Sequence, residues 1–316
     1  MKNKMQTGYS IACSKEEYRF ANAKSFASAA NIVLDGMLHK RVYQHYCQLD
    51  SVLQKIIQRR WYLTKCSSSR LNDLQEPRKF AGKTKFSNCT YIMCFGHSLS
   101  ESAAMWGLYG KNNPFALRVT ISGDVMEDWM RRMEIKAWSR RDVGATKNKR
   151  RSALKEMDVR GEKDQPLEKR NIQSAIFRDV LYASVASEDK RDEYDIKRGN
   201  RVSWRRAFYN LQDCDDVLQG IYAGFLKDAE WSYEMESRLC VSLKKEIDDD
   251  GISVAVPKEV IEAMHFTFSP WLKLSDETHI RHVLEAALKG AGIDLDDKSN
   301  RQRFRRSVLQ DALNFK

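Results

Sequence analysis

The period of hydrophobic and polar positions changes several times along the chain, and each change marks an expected element. In SVLQKIIQRR, which starts at Ser51, Val52, Leu53, Ile56 and Ile57 recur at helical spacing, with Asp50 and Ser51 as caps. The short apolar piece WYLT follows, then the polar loop KCSSSRLNDLQE. YIMCFG is a compact strand, and ESAAMWGLYG is a short helix stopped by Gly110 and the Asn-Asn-Pro turn. FALRVTI alternates, with Phe115, Leu117, Val119 and Ile121 expected inward. VLYASV reads as a strand and CDDVLQGIYAGFLKD as a helix. ISVAVP, the helix-like KEVIEAM and HFTFSP follow. HIRHVLEAALKGAG is an amphipathic helix with Ile280, Val283, Leu284, Ala287 and Leu288 on one face, closed by glycine.

Strands and helices are interspersed without regular βαβ alternation, which predicts an α+β protein. The expected organisation is an N-terminal helical extension over 1–36 and a single catalytic-type domain over 37–316. A basic helical insertion is expected at about 123–178. There are no internal repeats and no Gly/Pro-rich linker.

One stretch breaks its own pattern. In EWSYEMESRLCVSL, extended backbone puts Tyr233, Met235, Leu239, Val241 and Leu243 on one face. Glu234, Glu236, Arg238, Cys240 and Ser242 fall on the other, so two carboxylates and a guanidinium form a row. A solvated edge strand carries such a row harmlessly. In a cleft it is an acid/base site, because crowded carboxylates beside a guanidinium have separated pKa values.

Composition narrows the partners. The 316 residues are 42% hydrophobic, enough for a substantial core, and the net charge is +11. Residues 131–170 hold fourteen Lys/Arg against seven Asp/Glu, and RQRFRRS adds a second basic cluster. Such blocks either form a solvated face or attract polyanions. Arg131, Arg132, Arg140, Arg141, Lys147, Lys149, Arg150 and Arg151 are the candidate nucleic-acid contacts. Seven scattered cysteines, no signal-peptide core and no membrane-length apolar run point to a reduced, cytoplasmic setting without membrane partners.

Other chemistry is sparse. His279 and His282 lie three apart on a helix without a third ligand at convincing spacing, so no metal is expected. No phosphate-binding glycine loop appears, and GHSLSES lacks the Gly-x-Ser-x-Gly elbow. His45 and Tyr46 close a strand ahead of a helix. Trp106 and Tyr109 share a helical face, as core residues or as a platform for a ring-bearing ligand.

The order of these pieces resembles the bacterial domain-of-unknown-function family 2971. VYQHYCQLDSVLQKIIQRRWYLTKCSSSRLNDLQE is similar to its opening, and YIMCFGHSLSESAAMWGLYG to its central Cys-Phe-Ser…Met-Trp-x-x-Tyr segment. WSYEMESRLCV is similar to its Trp-x-Tyr-Glu-x-Glu-x-Arg-Leu segment, and VPKEVIEAMHFTFSP to its C-terminal pattern. Gly96, Leu74 and Ser237 depart from that pattern. The motif order also resembles ADP-ribosyltransferase-fold toxins, which implies a split β-sandwich with flanking helices and NAD as the ADP-ribose donor, without a metal. By that resemblance Glu236 supports an oxocarbenium-like ribose, Glu234 orients or deprotonates the acceptor, and Tyr109 stacks on nicotinamide with Trp106. His45 and Tyr46 contact the adenosine side, with Arg238 in the same cleft. An RNA or DNA acceptor, a toxin role and an antitoxin partner are the further expectations. The rival readings are a nucleic-acid-binding protein or metal-independent nuclease without NAD chemistry, and a non-catalytic interaction protein.

Overall fold

The computed structural model describes residues 8–13, 16–20, 40–68, 88–110, 113–135, 153, 157–186, 224–295 and 302–310. The chain begins with strands β1 (Gly8–Cys13) and β2 (Glu16–Phe20). Then come β3 (Val42–Gln48), helix α1 (Leu49–Ile57), β4 (Arg60–Lys65) and β5 (Thr90–Gly96). Helix α2 (Ala103–Gly110), β6 (Ala116–Ser122) and helix α3 (Gly123–Met133) follow. Next are β7 (Val159–Gly161), β8 (Ile172–Asp179), β9 (Leu181–Ala186) and β10 (Leu226–Asp228), then a 3-10 turn, Ala229–Glu234. The last part holds β11 (Glu236–Leu243), β12 (Gly251–Ala255), α4 (Lys258–Glu262), β13 (His265–Phe268), α5 (Leu274–Gly290) and β14 (Phe304–Arg305).

The class is mixed α+β, as the interspersed pattern predicts. A ten-stranded mixed sheet runs β14-β13-β6-β3-β5-β4-β12-β7, with β11 beside β5 and β8 beside β11. Strand β5 is its branch point. On one edge it meets β3 at Gly96 and β4 at Tyr91 and Ile92; on the other it pairs with β11 from Thr90 to Gly96. A second sheet has the order β10-β9-β1-β2, and only Val180 separates β8 from β9.

Strand β11 is bonded to β5 on one side and β8 on the other, and all eight of its residues are buried. Its odd positions Leu239, Val241 and Leu243 join the main core with Tyr43, Trp61, Phe95, Trp129 and Phe177. Helix α5 packs Ile280, Leu284, Ala287 and Leu288 inward, with Val283 partly buried, and leaves His279 and His282 exposed. Among the described residues no helix is long and apolar enough to cross a membrane.

Several expectations are corrected. Within 1–36 the described residues are strands, not helix, because β1 and β2 complete a sheet with β9. The ends of the stretch 123–178 belong to the fold itself. Helix α3 buries Met126, Trp129, Met130 and Met133, β7 pairs with β12, and β8 is an interior strand. Charge density hides the apolar run of β8. Leu226–Asp228 is a strand where a helix is expected; residues 214–223 of that stretch lie outside the described residues. Phe115 is 42% exposed, since the inward alternation starts one pair later, at Leu117.

The corner between β6 and α3 requires a glycine. A Cβ on Gly123 would stand 1.6 Å from the Lys40 carbonyl oxygen, and the Gly123 N–H is bonded to the Arg41 carbonyl at 2.8 Å. Backbone on both sides leaves nothing to yield. Gly123→Ala is expected to lower stability by about 1–3 kcal/mol in urea titration.

Candidate active site

The pleat of the sheet decides which side chains can meet. Glu236 stands opposite Gly96, Gly96 opposite Gln44, and Arg238 opposite Cys94. Residues in register share a face, so Glu236, Arg238, Cys94 and Gln44 lie on the side away from the main core. Just before β11 the backbone reverses at Met235, in the left-handed region at φ 44°. Glu234 is therefore on the 3-10 turn, not in the strand row, and is carried back over the same face. The reversal is held by the His97 N–H on the Met235 carbonyl at 2.9 Å.

Five side chains converge there. Arg238 grips Glu236 in a fork, Nε to Oε1 at 2.8 Å and Nη2 to Oε2 at 2.9 Å. Lys227, from β10, reaches Glu236 Oε2 at 3.4 Å and is bonded closely to Glu234 Oε2. The Tyr109 hydroxyl, 125 residues away along the chain, donates to Glu234 Oε1 at 3.0 Å. The Glu236 N–H donates to Tyr182 Oη at 2.8 Å, and Arg238 Nη1 donates to the Gly224 carbonyl at 2.8 Å. Glu234, Glu236, Lys227 and Arg238 are all buried. The Trp231 ring lies 4.8 Å from the Lys227 ammonium.

Burial excludes the solvated-edge reading of the row. It also makes the two carboxyls unlike. Desolvation pushes Glu236 up, but Arg238 and then Lys227 outweigh it and hold the group well below the usual carboxylate range. Glu234 is raised, by burial first and then by the Glu236 charge, against the pull of Lys227. Burial and the two carboxylates raise Tyr109 far above its ordinary value, so it keeps its proton and donates. One permanent anion and one protonatable carboxyl thus stand side by side, which is the separation that acid/base chemistry uses.

Of the expected site residues, Glu234, Glu236, Arg238 and Tyr109 come together. His45 does not join them. It points to the opposite face with Tyr43 and Cys47, its Nδ1 donating to the Cys94 carbonyl at 3.0 Å and its ring against Trp61 and Phe95 at 5.3 and 5.8 Å. Burial, then the Lys55 charge, lowers its pKa to about 3. Gln44 occupies the near face instead, donating to the Ser98 carbonyl and accepting from Arg118. Tyr46 and Trp106 form an adjoining packed cluster, edge to face at 4.9 Å. Trp106 is fully buried and donates to Glu101 at 3.0 Å, so in this arrangement it supports α2 and presents no open ring face.

Lys227, Cys94, Gln44 and Tyr182 are the members that sequence reasoning missed. Period-two alternation on β3 is the signal that would have preferred Gln44 to His45. Lys227 has no local signal. Arg131 pairs with Glu127 at 3.2 Å and Arg132 with Glu259 at 2.7 Å. Arg140, Arg141, Lys147, Lys149, Arg150 and Arg151 lie outside the described residues. Among the described residues no cluster of acidic, histidine or cysteine side chains suits a metal.

An open cleft of about 1160 Å³ lies elsewhere, lined by Arg59, Arg60, Tyr62, Asp158 and Arg160 among others. Its charges are balanced internally, Arg60 on Asp158 at 2.8 Å and Arg160 on Asp164 at 3.0 Å. None of the converging residues lines it. Comparisons of the chain with protein-family profiles, curated proteins and solved structures return no match.

Removing Lys227 leaves two carboxylates facing one guanidinium. Lys227→Met is expected to cost about 3–5 kcal/mol at neutral pH. Part of the loss should be recovered on acidification, because burial and the Glu236 charge raise Glu234 and favour its protonation; urea titrations at neutral and at lower pH measure this. His45 supplies an opposite slope. Below its unfolded value of 6.5 the unfolded chain binds a proton that the folded protein refuses down to about pH 3. Stability should therefore fall by about 1 kcal/mol per pH unit as pH drops through that window, and His45→Gln should flatten the slope.

Proposed function

We propose that the protein is an NAD-dependent ADP-ribosyltransferase whose reaction centre is Glu236, with Glu234 and Tyr109 beside it. The observation that carries this reading is the convergence of Tyr109, Glu234 and Glu236 on one hydrogen-bonded cluster. The motif order similar to ADP-ribosyltransferase-fold toxins supports it, and so does the branching of the large sheet at β5, where a split β-sandwich would open.

The chemistry follows from the charges. The bond between nicotinamide and ribose breaks with its electron pair leaving on nicotinamide, which departs neutral and needs no strong acid. The ribose left behind resembles an oxocarbenium ion, and the ionised Glu236 carboxylate stabilises that charge. Glu234, whose raised pKa lets it hold a proton at milder pH, accepts the proton that the attacking group gives up. Tyr109 fixes the Glu234 carboxyl by its hydroxyl bond and offers a ring to the leaving nicotinamide. For the ribose to reach Glu236, Lys227 must give up its place on Oε2. Donor binding in this scheme is therefore coupled to movement of the segment from Leu226 to Glu234.

A nucleic-acid acceptor, RNA before DNA, is the reading favoured by the +11 charge and the basic block at 131–170. A cytoplasmic toxin restrained by an antitoxin is the role that the resemblance suggests. One observation favours a rival: both Glu236 oxygens are engaged by neighbouring cations, as in an ion-pair network that only holds the chain together.

Incubation with labelled NAD and separated cellular RNA, DNA and protein tests these readings. Label entering the RNA fraction, reduced on the order of 100-fold by Glu236→Gln, is the expected result. Glu234→Gln should suppress transfer more than NAD hydrolysis. No NAD consumption, with unchanged salt-dependent RNA binding in both variants, would leave the nucleic-acid-binding reading.

A further inference from the structure

Outside this cluster, the most anomalous charged group in the described core is Lys55 on α1. It is 4% exposed. Its amine nitrogen meets Ser51 Oγ at 2.6 Å, the Ser51 carbonyl at 3.1 Å and Cys47 Sγ at 3.8 Å, and lies 5.0 Å above the Trp61 ring. None of these groups carries the full negative charge that a buried ammonium demands. Among the described residues no carboxylate makes an ion pair with it.

The chain itself fixes the pair. Strand β3 ends at Gln48 and α1 begins at Leu49, so one tight corner folds Lys55 back onto Cys47. Burial lowers the lysine and raises the cysteine, which favours a neutral amine beside a neutral thiol. Both side chains are buried, at 8% and 4% exposure. An amine and a thiol held 3.8 Å apart are the reactants of one specific oxidation.

We propose that Cys47 and Lys55 are a modification site, joined under oxidising conditions by a reversible sulfur–oxygen–nitrogen bridge between Sγ and Nζ. Dioxygen is the co-reactant. One of its atoms enters the bridge as the S–O and N–O bonds form. The other leaves as water with the thiol hydrogen and one amine hydrogen. Sulfur and nitrogen each give up two electrons, and dioxygen takes all four. The bridge ties up an amine that would be costly to charge in the core, and clamps α1 to β3. It does not depend on NAD chemistry.

The reading is tested on full-length protein purified under reductant, then held in oxygen-saturated buffer and digested with trypsin. In the reduced protein trypsin cuts after Arg41 and Lys55, releasing the peptide 42–55. In the bridged protein Lys55 is no longer a cleavage site. The expected product is the peptide 42–59, about 14 Da heavier than its sequence, reverting with dithiothreitol. Cys47→Ser and Lys55→Arg should each abolish it. Conversion of Cys47 to sulfinic or sulfonic acid with Lys55 still cut would overturn the proposal. So would an unchanged peptide after prolonged oxygen exposure of the wild-type protein, a result that does not depend on how the variants fold.

Discussion

Strand β11 has hydrogen-bonded neighbours on both edges, so every polar group that it carries must find a partner inside the protein. This constraint organises the candidate site. Glu236 and Arg238 are two residues apart on one face and satisfy each other through a two-pronged bond. An ion pair removed from water adds little net stability, but losing either partner strands the other charge in the interior. The segment before β11 answers the remaining demand. It reverses at Met235 and brings Glu234 and Lys227 onto the same face, so that two anions and two cations are enclosed together.

The main elements were legible because their signals are local. Helices α1, α2 and α5, strands β5, β6 and β9, and the face assignment within β11 all follow from period and punctuation. The surroundings of β11 were not legible. Alternation says which residues share a face, but whether that face meets water depends on what pairs with the strand, and its partners lie about 60 and 140 residues upstream. Motif order places His45 in the cleft, whereas the pleat of β3 puts it on the opposite face beside Tyr43 and Cys47. Lys227 illustrates the opposite limit. It sits in a stretch with helical spacing, and only the parallel pairing of β10 with β9 aims it at the carboxylates. Strand β8 was hidden for a compositional reason: the charged residues flanking it dominate any window wide enough to register the block.

The two faces of the main sheet use buried charge in different ways. On the far face, Lys55 has only a hydroxyl, a carbonyl, a thiol and an indole ring around it, and its protonation is set by desolvation. On the near face, neutralisation is mutual, and the balance between Glu234 and Glu236 is set by which cation each one holds. The same residue type thus tends toward an amine in one place and is held as an ammonium between carboxylates in the other.

The small sheet has a consequence for the birth of the molecule. Strands β1 and β2 are made before β9, the strand that pairs with β1 and lies about 170 residues later. At ordinary rates of synthesis the β1 edge that takes β9 waits on the order of 10–30 s unpaired. Throughout that wait the nascent chain displays a ready template for strand addition, and any cellular factor that shields such edges would find its target there before the interior carboxylates exist.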